Sequence, residues 1–358
     1  MRNSTSPTRE LAVPRLGVGC PCLCRVTICQ EGEATGRMRK IHQPPYYDPA
    51  KAPVFRYFRM AETYPHIRWW RPLLVGVLTM VYFVLFSSLI ITPVMLLSDH
   101  FAPDLFDPIR REGVPLIASP VTLFFTVLVT IALIPACLLA MNVSGRPLGT
   151  LYSVEGRFRW RLFGRSTMLA VLITVPITSL LMIFDPVAHD HFRWPDHNGF
   201  ILIVITLLLV PMQAAGEELV FRGILGQMIG SWLAHPVWPI LLPLPLLILG
   251  QNYGLVSQVD IAIFALGAGF VTWATGGLEA AIALHIVGNV VFYGLAAFNL
   301  LLPNSLDGGS MVQLLVSTLI VVIYSTLVVT HHDAVKYPNH ARAQPGALVG
   351  RVISPGGM

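Results

Sequence analysis

Eight stretches of this chain run almost wholly apolar, over residues 72–97, 117–141, 167–184, 200–215, 237–249, 261–274, 278–301 and 312–330. Most reach or approach the roughly 20 residues that a helix needs to cross about 30 Å of hydrocarbon. Within lipid every backbone N–H and C=O must be satisfied inside its own segment, so unbroken apolar runs of this length predict helices. The pattern therefore predicts an all-α polytopic membrane protein with about eight transmembrane helices. Pro211 is expected to kink the fourth run, which continues as helix over 219–232 until Gly230, Ser231 and the His235-Pro236 pair end it. Three prolines, Pro239, Pro243 and Pro245, predict an irregular fifth helix whose freed carbonyls are satisfied by neighbours.

Charges between the runs assign the sides. The loop 98–116 carries Asp99, Asp104, Asp107 and Glu112 against Arg110 and Arg111, whereas 142–165 carries Arg146, Arg157, Arg159, Arg161 and Arg165 against Glu155. By the positive-inside bias the first loop is outside, the second inside, and both termini are cytoplasmic in a plasma-membrane protein of bacterial type. Four regions follow: a cytoplasmic tail, 1–71; three spans with their loops, 72–198; a core bearing the unusual polar residues, 199–301; and a last span with a basic tail, 302–358. No internal repeat is evident, because the two halves differ in span length and in the placement of breakers.

Composition agrees with this picture. Of 358 residues, 54% are hydrophobic and only 12% are charged, half the charge of an ordinary soluble domain. The net charge of +5 resides in loops between spans, so it calls for no nucleic-acid partner. Cys20, Cys22, Cys24 and Cys29 crowd the N-terminal tail without paired C-x-x-C spacing, which favours reduced thiols over a metal site. Residues 1–37 resemble neither a targeting segment nor a folded unit, and Met38 before Arg39-Lys40 is the expected native start. Phe158, Trp160 and Phe163 interleave with the arginines as an interfacial anchor, with a lipid or partner surface as the alternative. His189, Asp190, His191, Asp196 and His197 form a metal-ligand set by type, but a loop lacks the fixed geometry such a site needs.

The chemistry lies in a few polar groups in or beside the later spans: Glu217, Glu218, Arg222, Gln251, Asp260, His285 and Asn289. An adjacent acidic pair in a spanning helix costs several kcal/mol unless it is paired or used. Arg222 follows Glu218 by four residues, one helical turn, so the two can pair on one face. Glu217 points about 100° away and is left to act on something else. His285 and Asn289 are also four apart, an imidazole and a carboxamide that can hold a water and donate to an oxyanion. With Glu217 as general base, this set suits attack of water on a carbonyl with no covalent intermediate and no cofactor. The structural alternative is a helix–helix hydrogen bond at His285 and an ion pair acting as glue, yet glue needs only one acid.

At these residues the sequence resembles the CAAX protease and bacteriocin-processing family of intramembrane peptidases. Glu217-Glu218-Leu219-Val220-Phe221-Arg222, with Gly223, fits the family's Glu-Glu-x-x-x-Arg motif. His285-Ile286-Val287-Gly288-Asn289 fits its His-x-x-x-Asn motif, and residues 275–281 fit the lead-in. The resemblance covers roughly 201–298. It implies peptide-bond hydrolysis near the cytoplasmic face without metal. It also implies that the first glutamate and a second-motif histidine activate water, and that the third motif holds the oxyanion.

The second motif departs from the pattern: in Leu247-Ile248-Leu249-Gly250-Gln251, Leu stands for Phe and Gln251 for His. Glutamine orients water but does not take up or release a proton near neutral pH. Glu217 must then serve as both base and acid, and losing one proton-transfer group commonly costs about 10² to 10⁴ in rate. The expectation is an intramembrane glutamic endopeptidase acting on a membrane-anchored protein or peptide. The alternative is a catalytically impaired member that binds or scaffolds in the membrane. A transporter using Glu217 as proton carrier finds no repeated halves to support it.

Overall fold

The computed structural model describes residues 57–63, 68–101, 119–184, 190–249, 254–300 and 311–331. The N-terminal cysteines, the charged residues of the loop 102–116, His189, Gln251 and the basic tail lie outside the described residues.

Seven helices among the described residues are long and apolar enough to cross a membrane. The first is α1 (Arg71–Phe101). The second is interrupted at Ala132, giving α2 (Pro120–Ile131) and α3 (Leu133–Val143). After the single turn α4 (Gly149–Tyr152), α5 (Trp160–Phe184) crosses next. The fourth crossing joins α6 (His197–Leu208), α7 (Val210–Glu218), a π-helical stretch Leu219–Leu225 and α8 (Gly226–Gly230). Two short helices follow, α9 (Val237–Leu241) and α10 (Leu244–Leu249). The last three crossings are α11 (Leu255–Thr275), α12 (Glu279–Ala297) and α13 (Met311–His331). No named strand occurs among the described residues, which hold one isolated bridge, Ser153 to Gly277.

Two elements differ from expectation. The run 237–249 is no full-length helix: its apolar helical part, Val237–Ile248, has 12 residues. Pro243 and Pro245 lack the N–H that a continuous helix needs there, and the chain breaks between α9 and α10. Elsewhere, α5 starts at Trp160 rather than near 167, so Arg161 and Arg165 lie on the helix itself. Long guanidinium side chains extend to the headgroups while their stems stay apolar, so a helix continues through them.

The fourth crossing has 34 residues, about 51 Å at 1.5 Å per residue, far more than the hydrocarbon thickness. It breaks at Leu209, two residues before Pro211, where the expected kink falls. The π-helical turn begins directly after Glu218; such turns concentrate at functional sites because they re-aim side chains.

The helix at the centre is α12. Glu279 to His285 are buried at every position, and half of the α12 apolar window is buried against 17% for α5. Ala280, Ala281 and Ala283 let neighbouring backbones approach, which is how helices associate where lipid supplies no hydrophobic driving force. Around them pack Ala170 and Ile173 of α5, Ala268 and Val271 of α11, and Val321 and Tyr324 of α13. A second cluster joins Val75, Cys137, Met141, Leu219 and Ile224 to Tyr57 and Phe58 of the 3-10 turn Tyr57–Thr63.

The start of α12 is fixed by the segment before α5. Gly276 caps α11 at φ 68°, the left-handed conformation that glycine adopts without strain. Leu278 N–H donates to Tyr152 O and Val154 N–H to Gly276 O, both at 2.9 Å. Arg159 grips Glu279 through Nε (2.9 Å) and Nη2 (2.7 Å), and its own backbone N–H donates to the same carboxylate. The pair is almost wholly buried, and a Cβ on Gly277 would lie 2.3 Å from Arg159 Nη2. Glycine is therefore needed twice here, once for its torsion and once for its size.

Candidate active site

Five polar side chains from α7 and α12 form one connected chain inside the bundle, and Arg222 of the π turn closes it at one end. Asn289 Nδ2 donates to Gln213 Oε1 at 3.3 Å, and Gln213 Nε2 donates to Glu217 Oε1 at 2.8 Å. Glu217 Oε2 lies 3.4 Å from His285 Nε2. The other ring nitrogen, Nδ1, is 2.8 Å from Glu218 Oε1, and Arg222 Nη1 donates to that same oxygen at 2.8 Å. Arg222 Nη2 donates onward to Ala265 O of α11 at 3.2 Å.

The Glu218–Arg222 pair forms at the expected one-turn spacing and is buried, with Glu218 fully enclosed. Glu218 Oε2 is buried without a hydrogen-bond partner among the described residues. Glu217 differs: a quarter of its side chain remains exposed. Two adjacent carboxylates thus occupy different environments, one locked between Arg222 and His285 and one open on one side.

Both nitrogens of His285 face carboxylates rather than a shared pocket with Asn289. Ionised carboxylates only accept hydrogen bonds, so the imidazole between them needs either a proton on each nitrogen or a protonated Glu217. With His285 as imidazolium the cluster balances two negative charges with two positive ones, which reduces the cost of holding it in lipid.

The spacing of polar residues left two participants unseen. Gln213 stands one turn before Glu217, the same spacing that pairs Glu218 with Arg222, and that rule would have found it. Phe264 of α11 packs its ring edge-on against His285 with centroids 4.8 Å apart, and Arg222 Cζ lies 5.9 Å from its centroid. An apolar residue in an apolar helix gives no such signal. Asp260, grouped with the site residues by its polarity, instead accepts a hydrogen bond from Ser317 of α13. Gln251 lies outside the described residues. In the candidate metal loop, Asp196 caps α6 by accepting from Gly199 N–H at 2.8 Å.

Beside Arg222 is a small, partly open cavity of about 10 Å³, lined by Phe221, Pro239, Ile240, Pro243, Leu244 and Ala265 among others. It lies between the π turn, the broken pair α9–α10 and α11.

Residues 198–291 match the family model described as type II CAAX prenyl endopeptidase Rce1-like. The matched span runs from the start of α6 into α12 and encloses every residue of the polar chain. An uncharacterized protein of Bacillus subtilis (strain 168), YyaK, is 24% identical over 184 residues, which are 48% of this chain and 60% of that relative. The alignment thus spans about three fifths of the relative's length. No solved structure matches.

Proposed function

We propose, from the Rce1-like match across residues 198–291, that this protein is an intramembrane endopeptidase using glutamate-activated water on a membrane-associated protein or peptide. The observation that carries this reading is the enclosed chain Glu217–His285–Glu218–Arg222 with one carboxylate left accessible. Glu217 takes a proton from water as the water oxygen bonds to the scissile carbonyl carbon. Asn289, which gives one N–H to Gln213, has a second to offer the oxyanion. As the C–N bond breaks, the proton held by Glu217 and His285 passes to the leaving nitrogen, and the products are a carboxylate and an amine.

His285 is assigned here to proton storage rather than to the oxyanion, because its ring nitrogens are turned to the two glutamates. This assignment supplies the proton carrier that Gln251 lacks. Glu218 and Arg222 hold His285 in place, and Gln251 orients water. The loop charges favour a plasma-membrane protein with both termini and the reacting end of the site toward the cytoplasm.

The test is reconstituted cleavage of a membrane-anchored peptide library by wild type, Glu217→Ala and Gln251→His. Cleavage by wild type, reduced about 10²- to 10⁴-fold in Glu217→Ala, supports the peptidase. The substitution at Gln251 favours a second reading, an impaired member that binds peptides without turnover. Equal inertness of wild type and Glu217→Ala, with cleavage only by Gln251→His, would establish it.

A further inference from the structure

Between the proposed base and the proposed oxyanion donor stands one buried side chain that no motif includes. We infer that Gln213 is a positioning residue, whose carboxamide fixes Glu217 and Asn289 relative to each other. The inference rests on the reading of Glu217 as the base.

The direction of its hydrogen bonds follows from chemistry. A carboxylate oxygen accepts, so Gln213 turns its NH₂ toward Glu217 Oε1, and the bond is 2.8 Å. Its carbonyl oxygen then faces Asn289, which must turn its own NH₂ toward Gln213, at 3.3 Å. The orientation of one amide therefore sets the orientation of the other, and Asn289 keeps a single N–H free. Gln213 is itself buried, at 7% exposure, while its partners Glu217 and Asn289 are partly exposed.

The elements involved show what this clamp adds to the contact that His285 makes with both glutamates. Glu217 lies on α7, just before the π turn and eight residues after the break at Leu209, whereas Asn289 lies on α12. Backbone hydrogen bonds within α7 do not set its rotation against α12. Gln213 sits between the break and Glu217 and bonds to both elements. A base and an oxyanion donor held to one geometry act on the same carbonyl, and a displacement of about 1 Å can cost about 100-fold in rate.

Gln213→Met keeps the volume and removes both hydrogen bonds. In the peptide-cleavage assay it is expected to lower kcat about 10- to 100-fold while leaving KM within about twofold, since binding is not what the clamp provides. Combined with Asn289→Ala it is expected to add less than about threefold to the loss from Asn289→Ala alone, because both act through one network. Fully multiplicative losses, or a change confined to KM, overturn the inference. An arm independent of turnover uses a hydrophobic carbodiimide, which reacts with protonated carboxyl groups, with the modified residue identified by mass spectrometry. Without the Gln213 N–H, Glu217 is expected to label at least about threefold faster, while Glu218 does not change. Equal labelling of Glu217 in wild type and Gln213→Met overturns the clamp even if no substrate is ever cleaved. Faster labelling with no cleavage by wild type supports the clamp and defeats only the endopeptidase reading. Gln213→Asn, one methylene shorter, is a second variant should Gln213→Met fold poorly, and it is expected to label like Gln213→Met.

Discussion

His285 Nδ1 lies 2.8 Å from Glu218 Oε1, 67 positions away in sequence, while its other ring nitrogen faces Glu217 at 3.4 Å. One imidazole thereby ties α12 to both members of the acidic pair. His285→Asn keeps a hydrogen-bonding side chain but could not carry the proton that the proposed mechanism stores there. Its cleavage rate is expected to fall about 10²-fold or more, with a melting temperature in detergent within a few degrees of wild type. A variant retaining more than about a tenth of the rate would remove His285 from the proton path.

Arg222 compensates a carboxylate with no exposure of its own. Arg222→Met leaves Glu218 buried with only His285 as partner, and loss of one member of a buried pair commonly costs about 3–5 kcal/mol. Adding Glu218→Gln removes the stranded charge, so the double variant is expected to melt above Arg222→Met in the same detergent. The reverse order would mean that the pair is not a closed electrostatic unit.

The Arg159–Glu279 pair permits the same experiment away from the proposed chemistry. It is equally enclosed, and it holds the start of α12 to the segment before α5. Arg159→Met is expected to lose about 3–5 kcal/mol of stability, read as a fall in melting temperature. Glu279→Gln should recover part of that loss, and kcat should fall only in proportion to the protein remaining folded.

Tyr57 supplies a pH signature outside the spanning helices. Burial holds its phenol well above the ordinary value of 10.0, and its hydroxyl donates to Leu151 O. The folded chain keeps that proton when the unfolded chain has released it. The contribution is therefore complete below pH 10 and declines as pH rises toward the folded-state value. Alkaline titration of thermal stability is expected to show a steeper decline above about pH 10 in wild type than in Tyr57→Phe. Parallel curves would remove Tyr57 from the alkaline transition.

The sequence exposed the helices through length and hydropathy because the membrane allows little else, and the Glu218–Arg222 pair because both residues lie on one helix. It could not show that His285 reaches across to both glutamates, or that Arg159 meets Glu279 across 120 residues. Those contacts depend on which faces α12 presents, and an apolar run without a polar side carries no record of facing. The break between α9 and α10 was half visible: three prolines forecast irregularity, but whether the run still spans depends on how its freed carbonyls are met. Gln213 is legible by spacing, one turn before Glu217, but a neutral amide is inexpensive enough in lipid that its presence alone does not signal function.

The short pair α9–α10 has a consequence for the surrounding bilayer. Its 12 helical residues, Val237–Ile248, rise about 18 Å, against a hydrocarbon layer of about 30 Å. Lipids along that flank must compress or tilt, and headgroups with their water come inward by several ångströms where the apolar wall is short. That flank also lines the cavity at Arg222. The proposed hydrolysis would need water inside the membrane, and thinning along this flank would bring it beside Arg222.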